Sequence, residues 1–84
     1  MINKKNLKKQ IIYRSSRRGT KEMDILLESF VQSNIHKFNY NELLDLNNLL
    51  KFEDIILYNW YFNINNLEKI PSNKITKMFK LYKI

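Results

Sequence analysis

The strongest constraint on this chain is an apolar run with helical spacing between positions 23 and 31. Its apolar residues recur at i, i+3, i+4, i+7 and i+8, the pattern of a helix that packs one face on a core. Thr20 is the expected N-cap, and Glu22 and Asp24 suit the positive N-terminal end of such a helix. Further helices are needed to cover this face. The apolar face of this helix consists of Met23, Leu26, Leu27, Phe30 and Val31.

The first half of the chain predicts two more helices. Leu7, Ile11 and Ile12 have the spacing of a short first helix. Residues 33–39 are expected to connect the second helix to a third, which Asn41 is expected to cap. The inward face of that third helix is predicted to hold Leu43, Leu46 and Leu50.

The second half predicts two further helices. Glu53 and Asp54 mark the start of the fourth, because acidic side chains favour a helix N-terminus. Pro71 and Ser72 end the preceding segment and mark the start of the fifth. Trp60 is expected to be a buried or half-buried anchor. The predicted inward faces are Leu57, Trp60, Tyr61 and Ile64 in the fourth helix, and Ile75, Met78, Phe79 and Tyr82 in the fifth.

These elements predict an all-α fold, a compact bundle of about five short helices in one domain over residues 1–84. A flexible basic segment is expected at about residues 1–6. Hydrophobic residues make up 44% of the chain, which is enough for a single core, and no cysteine is present for disulfides or thiolate metal sites. No apolar run approaches the roughly 18 residues of a membrane span. We therefore expect a monomer without membrane insertion and without a removable leader.

Charge is segregated along the chain, although the formal net charge is +7. Residues 1–21 hold eight bases and no acid. Residues 22–68 hold all eight acids, and residues 69–84 hold five lysines and no acid. A basic domain raises the question of nucleic-acid binding, but the three arginines cluster and no known nucleic-acid-binding signature is present. A basic helical nucleic-acid-binding or regulatory module therefore remains the alternative hypothesis.

Few side chains suit catalysis or metal binding. His36 is the only histidine, and a lone histidine near a helix end is usually a surface group. Without cysteine or a second histidine a structural zinc site lacks ligands, and one glycine cannot form a glycine-rich phosphate loop. Glu53 and Asp54 are better explained as a helix start than as a catalytic dyad. We therefore expect a binding module rather than an enzyme, with no metal site and no stably bound cofactor.

Two blocks of sequence, YRSSRRGTKEMDILLESF and LLKFEDIILYNW, carry a resemblance to a known family. Together they resemble the succinate dehydrogenase FAD-assembly factors of the SdhE type. The family hallmark Arg-Gly-x-x-Glu corresponds to Arg18, Gly19 and Glu22, and Asp24 follows it as in the family. The second block is similar to the family's Leu-Leu, acidic patch and Leu-x-x-Trp, with Pro71 at a family-like distance. That block supplies Leu49, Leu50, Asp54, Leu57 and Trp60.

Three positions depart from the family pattern. Ser16 stands where relatives often have an aromatic residue, and Ile56 stands where they have a second acid. Asn63 replaces a common glycine after the Trp-containing helix. Because asparagine tolerates the left-handed conformation at a helix end, the change at Asn63 is expected to be mild. Ile56 is expected to weaken one polar contact or to thicken the apolar face.

The resemblance implies a small all-α assembly factor that binds the flavoprotein subunit of succinate dehydrogenase, with the fumarate reductase flavoprotein as a further candidate partner. Such factors promote covalent attachment of FAD to a histidine of the partner. The chemistry then belongs to the flavin and the partner, so the factor acts on FAD that the partner holds. The absence of cysteine favours a reducing cytosol, and the family resembled is bacterial, so we expect a bacterial cytoplasmic location. We expect no nucleic-acid partner, because the three arginines cluster and no nucleic-acid-binding signature is present.

The same resemblance assigns the partner-binding residues. Gly19 has no side chain and is expected to let the partner approach closely. Arg17 and Arg18 offer planar, multi-donor contacts to carboxylates or carbonyls, and Glu22 is expected to stand on the same rim. The predicted partner-binding set is Arg17, Arg18, Gly19, Glu22, Asp24 and Asp54.

Overall fold

The computed structural model describes residues 3–16, 18–64 and 70–83, and within them all regular structure is helical. The predicted all-α bundle of five short helices is thereby confirmed. The described helices are α1 (Lys4–Ser15), α2 (Lys21–Asn34), α3 (Tyr40–Leu50), α4 (Asp54–Tyr61) and α5 (Lys74–Leu81), and a short 3-10 helix (Ile35–Lys37) joins α2 to α3.

The first helix begins inside the segment that was expected to be flexible. The Asn3 side chain caps it by accepting a backbone N–H of the first turn at 2.8 Å. Residues 4–6 therefore form helix, and the flexibility of the basic N-terminal segment stays a prediction. Leu7 and Ile11 are fully buried as predicted, whereas Ile12 lies on the outer face and is 47% exposed.

The third helix is capped by Asn39 and not, as predicted, by Asn41. The Asn39 Oδ1 accepts the N–H of Glu42 at 2.8 Å, and the Glu42 carboxylate accepts the N–H of Asn39 at 2.9 Å. This reciprocal capping box satisfies two backbone donors at once. Asn41 consequently lies inside the first turn. The predicted inward residues Leu43, Leu46 and Leu50 are buried.

The fifth helix has the same kind of start. Its cap is Asn73, so the predicted cap at Pro71 and Ser72 lies one to two residues too early. The Asn73 Oδ1 accepts the N–H of Thr76, and the Thr76 Oγ1 accepts the N–H of Asn73, both at 2.9 Å. The start of α5 is set by the capping box at Asn73 and not by the nearby proline. The capping box satisfies two backbone N–H groups at the helix start that would otherwise lack an acceptor. Ile75 and Phe79 are buried as predicted, and Met78 and Tyr82 pack half-buried against the core.

The fourth helix ends at Tyr61 in a Schellman motif. The N–H of Ile64 donates to the Asn59 carbonyl at 2.7 Å, and the N–H of Asn63 donates to the Trp60 carbonyl at 3.3 Å. Asn63 has a φ of 58°, the left-handed conformation that was expected to make asparagine a mild replacement for glycine here. Ile64 lies beyond the helix and is 46% exposed, which corrects its assignment to the buried face.

A single core forms where the helices meet. α1 packs against α2 and α3, α3 packs against α5, and α2 packs against α4. Phe30 lies at the centre of an aromatic group, with its ring edge-on to Phe79 at 5.2 Å and to Tyr82 at 5.3 Å between centroids. The buried apolar residues are Leu7, Ile11, Met23, Leu26, Leu27, Phe30, Val31, Phe38, Leu43, Leu46, Leu49, Leu50, Leu57, Tyr61, Ile75 and Phe79.

Trp60 is half-buried, which confirms its predicted place as an anchor of α4. Its ring stacks on Phe79 of α5, with 6.2 Å between centroids and 17° between planes. The Lys80 ammonium lies 4.7 Å from the centroid of the indole and donates to the Trp60 carbonyl. Burial lowers the pKa of Lys80. Trp60 therefore joins α4 to α5 by stacking, a cation–π contact and a hydrogen bond.

Replacing Trp60 by alanine is expected to lower the free energy of unfolding by about 2–3 kcal/mol. This is below the roughly 3–5 kcal/mol lost when a fully buried tryptophan is truncated, because part of the ring is exposed. Chemical denaturation measures the difference. Ile12→Ala, at an exposed position on α1, is the control and should change stability by no more than about 0.5 kcal/mol. Equal stabilities of the two variants would contradict the anchor role.

The starts of α3 and α5 are joined by an ion pair. The Lys74 Nζ lies 2.7 Å from the Glu42 Oε2, and the Lys74 side chain is largely exposed. The pKa of Glu42 is lowered first by the hydrogen bond from Lys74 and then by the bond from the Asn39 N–H. A lowered carboxyl pKa stabilises the folded state above the ordinary pKa of about 4.3, and the contribution is lost as the pH falls through the lowered value.

Replacing Glu42 by glutamine should therefore destabilise the protein at neutral pH and not in acid. Glutamine can still accept the capping hydrogen bond but has no charge for Lys74. Thermal melts of both proteins from pH 7 down to pH 3 measure the difference in melting temperature. We expect this difference to shrink as the pH falls below about 4.3. A difference that stays constant over the whole range would show that the charge of Glu42 has no part in it.

Candidate functional site

Two carboxylates hold the loop that connects α1 to α2. The N–H of Arg18 donates to the Asp24 Oδ1 at 2.5 Å. The N–H of Thr20 donates to the Asp54 Oδ2 at 2.9 Å, and the N–H of Gly19 donates to the same oxygen. Three successive backbone donors thus have a charged acceptor, and such bonds are stronger than neutral ones. The loop has a defined conformation as a result.

The start of α2 only partly follows the prediction. Thr20 is the N-cap residue, as expected, but its hydroxyl makes no capping hydrogen bond and is buried without a partner among the described residues. Glu22 and Asp24 lie in the first turn and supply the expected negative charge. Because this side-chain cap is missing, the Asp24 and Asp54 carboxylates contribute more to holding the chain at the start of α2.

The Arg18 side chain extends into the junction of three helices. Its Nε donates to the Asp54 Oδ1 at 2.5 Å. Its Nη1 donates to the Leu50 carbonyl at 2.7 Å and more weakly to the Arg14 carbonyl at 3.4 Å, while its Nη2 donates to the Phe52 carbonyl at 2.6 Å. The Arg18 and Asp54 side chains are only 10% and 12% exposed. One planar guanidinium therefore joins the end of α1, the end of α3 and the start of α4.

Gly19 is exposed and does not have a positive φ, so the backbone there does not itself require glycine. A Cβ at this position would lie 3.3 Å from the Asp54 Oδ2, which is tighter than ordinary van der Waals contact. The absent side chain thus leaves room for the Asp54 carboxylate against the loop. This space was expected to admit an approaching partner. Within the chain it accommodates the Asp54 carboxylate. The neighbouring Arg17 lies outside the described residues.

The structure divides the predicted partner-binding residues into two groups. Arg18, Asp24 and Asp54 are engaged in contacts within the chain. Gly19 and Glu22 are exposed, and across the described part of the chain the Glu22 side chain makes no hydrogen bond or ion pair. Contact of these residues with another protein stays a prediction. The exposure of Gly19 and Glu22 suits direct contact, whereas the other three position the surface on which they lie.

An exposed apolar stripe on α4 escaped the sequence analysis. Ile55 is 58% exposed and Phe62 is 44% exposed. Tyr58 lies between them, and its ring centroid is 4.7 Å from that of Phe62. The spacing i, i+3, i+7 is visible in the sequence, but it overlaps the spacing of the buried residues. Only the packing of α4 in the fold shows which of these two sets of apolar residues is exposed to solvent.

Neither a metal cluster nor a membrane helix is found in the described ranges. Residues 3–16, 18–64 and 70–83 bring together no group of three or more histidine, aspartate or glutamate side chains suited to a metal ion. His36 is exposed. None of the helices in these ranges combines the length and the apolar character of a membrane span. The expected lack of a metal and of a bound cofactor stays a prediction.

Comparison with known proteins establishes the family. The model of a family described as flavinator of succinate dehydrogenase matches residues 9–83. The chain belongs to this family. The match includes the Arg18 to Glu22 loop, all of α2 to α5 and most of α1. The resemblance drawn from the two sequence blocks is therefore confirmed.

Three relatives illustrate the family. The chain is 39% identical over 75 residues to a protein of Dictyostelium discoideum named succinate dehydrogenase assembly factor 2, mitochondrial. The aligned region covers 89% of this chain and 51% of that relative. It is 34% identical over 73 residues to the FAD assembly factor SdhE of Acetobacter pasteurianus, which covers 87% and 64%. It is 37% identical over 76 residues to the FAD assembly factor SdhE of Wigglesworthia glossinidia brevipalpis, which covers 89% and 86%. The chain thus spans about half the length of the Dictyostelium discoideum relative. It spans just under two thirds of the length of the Acetobacter pasteurianus relative. No solved structure gives a significant match.

Replacing Asp54 by alanine is expected to lower the free energy of unfolding by about 3 kcal/mol or more. The change removes the acceptor of the loop N–H groups and leaves the guanidinium of Arg18, at 10% exposure, without its anion. The matched control is Glu53→Ala, since the adjacent Glu53 is exposed and makes no side-chain cap hydrogen bond. The control should cost no more than about 0.5 kcal/mol in denaturant unfolding. Similar losses for the two variants would refute the structural role of Asp54.

Proposed function

We propose that this protein is an assembly factor that binds the flavoprotein subunit of succinate dehydrogenase and promotes covalent attachment of FAD to a histidine of that subunit. The observation that carries the proposal is membership of the succinate dehydrogenase flavinator family over residues 9–83. Two of the relatives are named FAD assembly factors and one is named a succinate dehydrogenase assembly factor. The ordered loop from Arg18 to Glu22 supports the proposal with a surface suited to docking.

The factor supplies position and not bond-forming chemistry. FAD is held by the partner, and the flavin together with residues of the partner carries out the covalent step. Binding of the factor restrains the flavoprotein in an arrangement in which the flavin and the accepting histidine are close. Such restraint lowers the entropic part of the barrier. The proposal therefore requires no catalytic residue and no resident cofactor in this chain.

The docking surface is prepared before the partner arrives. Asp24 and Asp54 fix the backbone of the loop, and Arg18 fixes Asp54. Gly19 presents backbone without a side chain, and Glu22 presents a carboxylate in the first turn of α2 that has no partner among the described residues. A rigid surface loses little conformational entropy on binding, so more of the contact energy remains for affinity. Glu22 is suited to an arginine, a lysine or a backbone N–H of the flavoprotein.

Several finer points belong to the same proposal. The flavoprotein of fumarate reductase is a second candidate partner, and the factor acts as a monomer. A bacterial cytoplasmic setting is supported by the relatives from Acetobacter pasteurianus and Wigglesworthia glossinidia brevipalpis, whereas the Dictyostelium discoideum relative is named mitochondrial. Nucleic-acid binding, the alternative hypothesis, finds no support in the names of these relatives. A retention assay with DNA and RNA at low and high salt tests it directly.

The direct test is covalent flavin on the partner. The flavoprotein subunit of succinate dehydrogenase is produced with and without this protein, and in-gel flavin fluorescence after denaturation reports only the covalently attached FAD. We expect strong fluorescence in the presence of the factor and weak fluorescence in its absence. Equal fluorescence in both samples would overturn the proposed function. The same assay with the fumarate reductase flavoprotein decides whether it is a second partner.

Replacing Glu22 by alanine is expected to weaken flavoprotein binding and to reduce covalent flavin without unfolding the factor. Loss of one side of a buried interfacial charge pair costs about 2–5 kcal/mol, while the exposed Glu22 side chain has no hydrogen bond or ion pair among the described residues to lose. Glu28→Ala, two turns further along α2, is the matched control and should behave as wild type. Melting temperature, affinity and flavin fluorescence are measured for each variant.

A steric variant probes the same surface. Gly19→Arg places a long side chain at the exposed loop, and its Cβ lies close to the Asp54 carboxylate. Its melting temperature therefore has to accompany the binding measurement. If folded Glu22→Ala and folded Gly19→Arg both support wild-type flavinylation in excess, these two residues are not part of the docking surface.

A further inference from the structure

The outer face of α4 carries exposed apolar groups that the fold does not cover. Leu57 and Tyr61 of this helix are buried, and Trp60 packs on α5. At 100° per residue, Ile55 and Phe62 lie on the opposite flank from Trp60. With the half-buried Tyr58 between them, they form one continuous strip over two turns, which we term the α4 stripe (Ile55, Tyr58, Phe62). Exposed apolar strips of this kind mark sites of contact with other proteins.

The α4 stripe is continuous with the Gly19 loop. Ile55 directly follows Asp54, and Asp54 accepts the hydrogen bonds of the Gly19 and Thr20 N–H groups. The start of α4 is therefore fixed against the start of α2. The stripe begins at this junction and extends away from it along α4, so Gly19 forms one end of a larger surface.

A second connection fixes the other end of α4 near α2. The Tyr61 hydroxyl donates to the Tyr82 carbonyl, and the hydroxyls of Tyr82 and Ser29 share a hydrogen bond of 2.5 Å. Ser29 belongs to α2, so both ends of α4 are linked to that helix. These links agree with the direct contact between α2 and α4. The α4 stripe thus has a rigid base.

Charged side chains of both signs lie at the start of this apolar surface, where Lys21 and Lys51 are exposed as well as two glutamates. Glu22 and Glu53 are both exposed, one at the start of α2 and the other at the start of α4. Ile25, one turn beyond Glu22, adds a further 48% exposed apolar side chain on α2. Protein interfaces commonly have an apolar centre and a polar rim. The complementary surface is therefore apolar with a polar edge.

We propose that the α4 stripe and the Gly19 loop form one docking surface, which takes an apolar patch with a polar rim on the flavoprotein partner. This inference rests on the proposed function and adds the principal source of apolar contact area.

The experiment measures affinity for the purified flavoprotein subunit without covalent FAD by biolayer interferometry. The test proteins are Ile55→Ser and the double variant Ile55→Ser with Phe62→Ser. The matched control is Ile12→Ser, because Ile12 is 47% exposed on α1. We expect the double variant to bind about tenfold to a hundredfold more weakly, as for loss of central apolar contacts. The control should stay within about twofold of wild type.

The outcomes separate this inference from the proposed function. If wild-type protein binds the flavoprotein and the folded Ile55→Ser and double variants bind equally well, the inference is overturned and the proposed function stands. If wild-type protein does not bind at all, both are overturned. Melting temperatures accompany each measurement, and Ile55→Ser alone provides the test if loss of the Phe62 ring contacts unfolds the double variant. Sedimentation showing a wild-type dimer that Ile55→Ser dissociates, with flavoprotein binding unchanged, would assign the stripe to self-association and overturn the inference.

Discussion

The contact between Arg18 and Asp54 is the interaction on which the arrangement of this protein depends. It joins residues 36 positions apart at 2.5 Å, with both side chains largely buried. The same guanidinium satisfies carbonyl groups at the C-terminal end of α3, and the same carboxylate satisfies N–H groups of the loop before α2. A short chain buries little apolar surface per residue, so one dense polar contact at a helix junction has a large share in defining the fold.

This junction also explains how a small bundle could position the docking surface proposed above. A buried arginine and aspartate fix the loop, so Gly19 and Glu22 are held in place at the surface without forming the core themselves. The Arg-Gly-x-x-Glu motif thus combines two tasks in five residues. Arg18 is directed inward and stabilises the loop, whereas the glycine and glutamate are directed outward. The α4 stripe starts at the same junction because Asp54 is the first residue of α4.

Predictions based on periodicity succeeded, and predictions of helix ends and outer faces were less accurate. The stripe from Met23 to Val31 is buried because a 3.6-residue period leaves only one face for the core. The caps at Asn39 and Asn73 were missed, since each depends on a reciprocal bond with a residue three positions later. Ile64 was assigned to a helix that Asn63 had already ended in the left-handed conformation.

By itself the sequence determined the helical class, most of the core and the family, because these follow from local spacing and from two short motifs. It also identified Arg17, Arg18, Gly19, Glu22, Asp24 and Asp54 as candidate partner-binding residues, of which Arg17 lies outside the described residues. Only the tertiary structure decided which of them serve the fold and which reach the solvent. The contact between Arg18 and Asp54 spans 36 residues, and no local pattern encodes a pairing over that distance. The exposed side of α4 was decided in the same way, by where α2 and α5 pack against it.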